Sequence, residues 1–250
     1  MTGPATSAVA SSGLARFTPA EWRDFAAFLR RPVLPERVTG IRLAAFGSTL
    51  KLFALDAVLM AILLGLIALA AGLGFKVPEN ELDKLNLGPT ALVAIIAILP
   101  IGEEIAFRCW LSGRAGHVVA SSAFIVGVTI LVISGPQPHP VLVLGDLLIT
   151  ATVAWSAVFW LRHRAAMGFF KRHFAAFYFA SSLVFALAHL SNYSQIPVLI
   201  LLPLVIPQLL VGLVLGYARV TYGLWSDIML HIMHNGVLIG LVVLGKGTGG

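Results

Sequence analysis

Residues 91–108 read ALVAIIAILPIGEEIAFR, and their reading decides the fold. Up to Ile101 the run carries no charge; Glu103, Glu104 and Arg108 then follow in quick succession. Such a run calls for lipid or a dry core, and charges at its end are costly in either. On a helix, Glu104 and Arg108 are four apart and stack on one face, in the favourable acid-before-base order. Glu103 points about 100° away and finds no partner on its own helix. The spacing predicts one neutralised carboxylate and one free to take a proton, as a general base must. A structural ion network at a helix end is the competing explanation.

The remainder of the chain decides for lipid. Of its 250 residues 58% are apolar and 11% charged, and the mean hydropathy is +0.93; soluble domains run at about 45–50% and about 25%. A soluble enzyme, a disordered chain and a nucleic-acid-binding domain are thereby excluded, in spite of the net charge of +6. A span takes about 20 apolar residues, so the composition supplies about seven. Seven apolar segments are present, at 52–75, 89–111, 118–133, 141–161, 174–190, 196–218 and 225–244. The expected fold is all-α, a polytopic transmembrane helix bundle of about seven spans behind an N-terminal amphipathic helix. The single cysteine, Cys109, excludes an internal disulfide and a cysteine-based zinc site.

The basic residues divide unevenly between the two sides of these segments. Arg16, Arg23, Arg30, Arg31, Arg37, Arg42, Lys51, Arg114, Arg162, Arg164, Lys171, Arg172 and Arg219 fall on one side, against Lys76, Lys84 and Lys246 on the other. By the positive-inside rule the N-terminus is expected to be cytoplasmic and the C-terminus outside, in the inner membrane if the source is bacterial. The opening MTGPATSAVASSGLARF lacks an apolar core of signal-peptide length, so the first span is expected to drive insertion. Thr18, Pro19 and Glu21 form a helix start with a capping box, and Trp22, Phe25, Ala26 and Leu29 recur at helical spacing. This helix is expected either on the membrane surface or on the protein's own cytoplasmic face. Residues 1–45 thus read as a cytoplasmic tail with an interfacial helix, and 46–250 as the transmembrane domain. Gly135 to Pro140 marks a hairpin break, and Pro197, Pro203 and Pro207 predict a kinked or partly broken sixth span.

Two further polar groups sit on apolar runs. Phe185 lies four residues before His189 and can brace its ring from the same face. Asp227, His231 and Asn235 recur every four residues and make one polar stripe along the last span, for which helix–helix hydrogen bonding is the alternative reading. His234 lies off the stripe and reads as an adjacent structural histidine. Asp56 and Asp146, near span ends without obvious partners, read as structural or interfacial.

Together these groups resemble the CPBP family of intramembrane proteases, the CAAX proteases and bacteriocin-processing (Abi-type) enzymes, and are similar to the type II CAAX prenyl endopeptidases. The family's Glu-Glu-x-x-x-Arg is matched by Glu103, Glu104 and Arg108, its Phe-x-x-x-His by Phe185 and His189, and its His-x-x-x-Asn by His231 and Asn235. Pro207-Gln208 through Gly212, Gly216 and Gly223-Leu224-Trp225 also looks like the approach to the third motif. The resemblance covers about 89–111 and 174–240. The 76 residues between Arg108 and Phe185 leave room for an inserted helical hairpin, 118–161, and Cys109 stands where the family usually carries glycine.

The resemblance implies hydrolysis of a peptide bond within the membrane. Glu103 would be the general base, His189 would hold and polarise the attacking water, and His231 and Asn235 would donate to the oxyanion. Glu104, Arg108, Phe185 and Asp227 would support them. A reaction without cofactor is favoured; the alternative is a zinc site of Glu103, His189 and His231 with an open water position. The implied partners are a peptide or membrane-protein substrate and the bilayer, with no nucleic acid. The competing class is a non-catalytic bacteriocin-immunity scaffold or a transporter, although no repeat of the transporter kind is present.

Helix rise puts a strain on this picture. At 1.5 Å per residue Glu103 lies about 13 Å and His231 about 9 Å below the same face, but His189 about 22 Å. A fifth span that starts later or tilts would level them, with Ser191, Asn192, Tyr193, Ser194 and Gln195 lining a wet cavity.

Overall fold

Helices account for every regular element among the described residues of the computed structural model, which are 19–76, 78, 88–193 and 202–247. In chain order they are α1 (Ala20–Arg30), α2 (Leu43–Gly72), α3 (Pro89–Phe107), α4 (Ala115–Ile133), α5 (Pro140–Leu161), α6 (Phe174–Ala188), α7 (Ile206–Thr221) and α8 (Leu224–Gly247). Within that set, six helices are long and apolar enough to cross a membrane: α2 to α6 and α8. The seventh apolar segment, expected at 196–218, becomes the 16-residue α7. Pro203 falls in a 3-10 turn, Leu202–Val205, and Pro207 in the first turn of α7, where its missing N–H disturbs nothing. Pro197 lies outside the described residues. From Val211 to Val220 nearly every residue of α7 is buried, for it packs against α2, α6 and α8. A helix wrapped in protein needs no full lipid-facing length.

The other helices turn apolar side chains outward, as lipid requires. On α5, Trp155 is 64% and Trp160 76% exposed, and the Arg162 guanidinium lies 4.3 Å from the Phe159 ring centre. Aromatic and basic groups together at a helix end mark a membrane–water interface. The α4–α5 hairpin turns between Ile133 and Pro140 as the sequence predicts, with Gly135 at φ 95°. Glycine sets its packing distance: a Cβ on Gly116 would stand 2.7 Å from the Ala157 carbonyl oxygen. Asp146 packs in this hairpin against Gly127.

α1 packs its apolar face on the protein itself, the second of the two placements expected for it. Its apolar face is filled by aromatic neighbours: Phe28 meets Tyr178 at 5.0 Å and Tyr217 at 5.1 Å between ring centres, and Phe25 meets Tyr217 at 5.4 Å. The Trp22 indole N–H donates to the Lys51 carbonyl at 2.7 Å. The helix starts after Pro19, and Glu21 Oε1 accepts from Ser48 Oγ at 3.0 Å and Lys51 Nζ at 2.9 Å. Thr18 lies outside the described residues.

α3 is not uniform. Ala94–Ile98 forms a π-helical turn. Pro100, two residues on, cannot donate to the carbonyl four residues back and its ring crowds that carbonyl; a widened turn there relieves the crowding and leaves backbone carbonyls for other partners.

Candidate active site

The last turn of α3 carries the first motif, and its two carboxylates meet different surroundings. Glu104 is fully buried, and its Oε1 accepts from Arg108 Nη1 at 2.6 Å and from His231 Nδ1 at 2.7 Å. Glu103, turned away as the spacing predicts, keeps 32% of its side chain exposed, with Oε2 3.5 Å from His231 Nε2. The imidazole of His231 therefore bridges a buried, neutralised carboxylate and an accessible one.

Phe185 is the packing centre of the three motifs. Arg108 lies over its face, with the guanidinium carbon 3.8 Å from the ring centre. Its edges meet His189 at 4.6 Å and His231 at 5.7 Å. His189 Nδ1 donates to the Phe185 carbonyl at 2.8 Å, since a carbonyl can only accept. That bond fixes the tautomer and leaves Nε2 with a lone pair.

The stripe on α8 faces α3. Asn235 Nδ2 donates to the Ile95 carbonyl at 2.9 Å, inside the π-helical turn, so the third motif holds a carbonyl that the irregular backbone releases. Asp227 is fully buried beside Glu104, Arg219 and Arg108, and its carboxyl meets that of Glu104 at side-chain hydrogen-bond range. Asp56, which showed no obvious partner in the sequence, and His234, read as structural, form a buried pair of their own, Oδ2 to Nδ1 at 2.6 Å, between α2 and α8.

The depth strain resolves without a late start for α6, which begins at Phe174. Ser181 Oγ donates to the Phe107 carbonyl at 2.6 Å, so Ser181 and not Phe174 is level with the end of α3. The first two turns of α6 overhang that end and are covered by α1. Side chains on a helix lean toward its N-terminus: Glu103 leans deeper and His189 leans back toward Phe185, which closes most of the remaining gap. Ser191 Oγ bonds locally to the Ala188 carbonyl; Ser194 and Gln195 lie outside the described residues.

A family model described as Type II CAAX prenyl endopeptidase Rce1-like matches residues 86–237, more than half of the chain. The chain belongs to this family. No curated protein and no solved structure matches it. All three motifs of this Rce1-like protein lie inside the matched region, and so does the α4–α5 hairpin. Asp56 on α2 lies outside it.

Sequence reasoning missed one member of the Rce1-like site. Arg219 had been counted among the basic residues of a loop, but it is only 4% exposed. Its Nε donates to the Arg108 carbonyl at 3.1 Å and an Nη2 to the Cys109 carbonyl at 2.8 Å. Ser121 Oγ takes the Ile105 and Ala106 carbonyls at 2.7 and 3.0 Å. The carbonyls that a helix end leaves unpaired are thus all held, from Ile105 to Cys109, by side chains from α4, α6 and α7. The signal for Arg219 was its register: it follows Gly212 and Gly216 on one face of α7. Lysine cannot span two carbonyls, so Arg219→Lys should lower kcat by up to about 100-fold through a displaced Glu103, with little change in KM. Steady-state kinetics of the purified variant check this.

The residues of the zinc alternative are in the neighbourhood but not assembled. Among the described residues, no three His, Cys, Asp or Glu side chains are gathered to hold a metal ion.

Proposed function

We propose that this integral multi-pass membrane protein is an endopeptidase that cuts peptide bonds within the bilayer by a glutamate-activated water. The observation that carries the reading is the unequal pair: Glu104 locked between Arg108 and His231, Glu103 beside them and 32% exposed. Water held by the Glu103 carboxylate and His189 Nε2 attacks the scissile carbonyl carbon as Glu103 takes its proton. His231 acts as the imidazolium: Nδ1–H is held by Glu104 and Nε2–H donates to the developing oxyanion. Asn235, tied to Ile95 by one amide hydrogen, has a second to offer the same oxygen. Glu103 then returns the proton to the leaving amine as the C–N bond breaks. Glu103 with the neutral forms of His189 and His231 would suit zinc chemically, yet among the described residues the three are not gathered for it, and no step is routed through a metal.

The excess of basic residues on one side supports a cytoplasmic N-terminus and an active site opening to that side. The 118–161 hairpin packs through α4 on the last turns of α3 and faces α6 across a cavity lined by Phe107, Ser121, Ile125, Ser181 and Val184; it is read as the element that shapes substrate access. The test is cleavage of a fluorogenic farnesylated CAAX peptide and of an unprenylated membrane-spanning peptide by the purified chain in liposomes. Cleavage of either is expected, lost in His189→Ala and insensitive to a chelator. Inactivation by the chelator with rescue by zinc would replace this mechanism, and no cleavage of any peptide would favour the scaffold or transporter class.

A further inference from the structure

A peptide bond can be cut in hydrocarbon only where the substrate is unwound, and each N–H released from its helix is then costly unless the site supplies an acceptor. We propose that Gln208 of α7 supplies it: its side-chain carbonyl accepts a substrate backbone N–H beside the scissile bond. The inference rests on the proteolytic reading above.

Three placements put Gln208 there. α7 runs against α6 in a fixed register: a Cβ on Gly216 would stand 2.9 Å from the Tyr178 ring, and one on Gly212 would stand 3.2 Å from the Phe185 ring. One turn further, Gln208 comes opposite Ala186 to His189, and its side chain leans still deeper, toward the His189 level. The same face of α7 is the one turned to α3, since Arg219 on it holds the Arg108 carbonyl and Gly212 lies 3.4 Å, measured from its Cβ position, from Arg108 Nη2. Finally, Gln208 Oε1 is buried and has no hydrogen-bond partner among the described residues. A neutral amide is suited to the task, because it accepts an N–H without adding a charge next to Glu103. The other buried carboxyl oxygens in this region, Glu104 Oε2 and those of Asp227, face each other and belong to the locked network.

The experiment compares the full-length protein with Gln208→Met, which keeps the side-chain length and removes the acceptor. The probes are whichever of the two fluorogenic peptides the unaltered protein cleaves and versions of it with single amide-to-ester replacements around the cleaved bond. Gln208→Met is expected to raise KM about tenfold with kcat little changed, the loss of one buried hydrogen bond. One ester peptide should show the same rise with the unaltered protein and no further rise with Gln208→Met. An unchanged KM in Gln208→Met, or ester effects that add fully to the substitution at every position, would overturn the assignment. An unaltered protein that cleaves neither the farnesylated nor the membrane-spanning peptide sinks the proteolytic reading and this one with it.

Discussion

Glu103→Gln is expected to lose about 10²–10⁴-fold in cleavage rate, the range that a positioned general base contributes, while the protein folds and inserts as before. Glutamine keeps the shape and the contact with His231 but cannot take the proton from water. Glu103 is partly exposed and takes no part in the Glu104–Arg108 bond, so the stability cost should stay within about 0.5 kcal/mol. Cleavage and thermal unfolding measured on the same detergent-solubilised sample check both halves. An active Glu103→Gln protein would remove Glu103 from the mechanism.

Glu104→Ala should fail in the opposite way. It leaves the fully buried Arg108 guanidinium without its carboxylate and His231 without its anchor. Breaking a buried pair by deleting one partner costs about 3–5 kcal/mol, enough to unfold many proteins. The expected result is a large drop in unfolding temperature or in recoverable protein. Replacing both partners by leucine should recover much of the stability, since a buried ion pair adds little over apolar packing. It should not recover activity, because His231 would have nothing to hold its Nδ1. Neighbouring carboxylates thus separate into one whose loss is catalytic and one whose loss is structural. A similar outcome for the two single variants would contradict the asymmetry of the site.

Much of this was legible in the sequence because it rests on spacing within one helix. Glu104 with Arg108, Phe185 with His189, and the Asp227–His231–Asn235 stripe are fixed by helical period wherever their helices go. The Gly135–Pro140 break was legible for the same local reason. What could not be read is set by how separate helices meet. The level of His189 depends on the bond between Ser181 and the Phe107 carbonyl, 74 positions apart in the chain. Asp56 and His234 are 178 apart; both are intramembrane ionisable groups off the three motifs, and that was the clue to their pairing. Arg219 near a helix end looked like a topology signal because charge counting does not see burial. α1 stayed open between two docking surfaces because an apolar face is satisfied by either.

The wide turn at Ala94–Ile98 gives α3 two phases. One residue beyond the regular period swings everything above it by about 100° relative to everything below. The lower half can then obey the bilayer while the upper half aims its acids at α6, α7 and α8, and neither has to compromise for the other. The aim of Glu103 is therefore decided two turns beneath it, and Asn235 on α8 acts as the pin that keeps this offset from springing back to the ordinary winding.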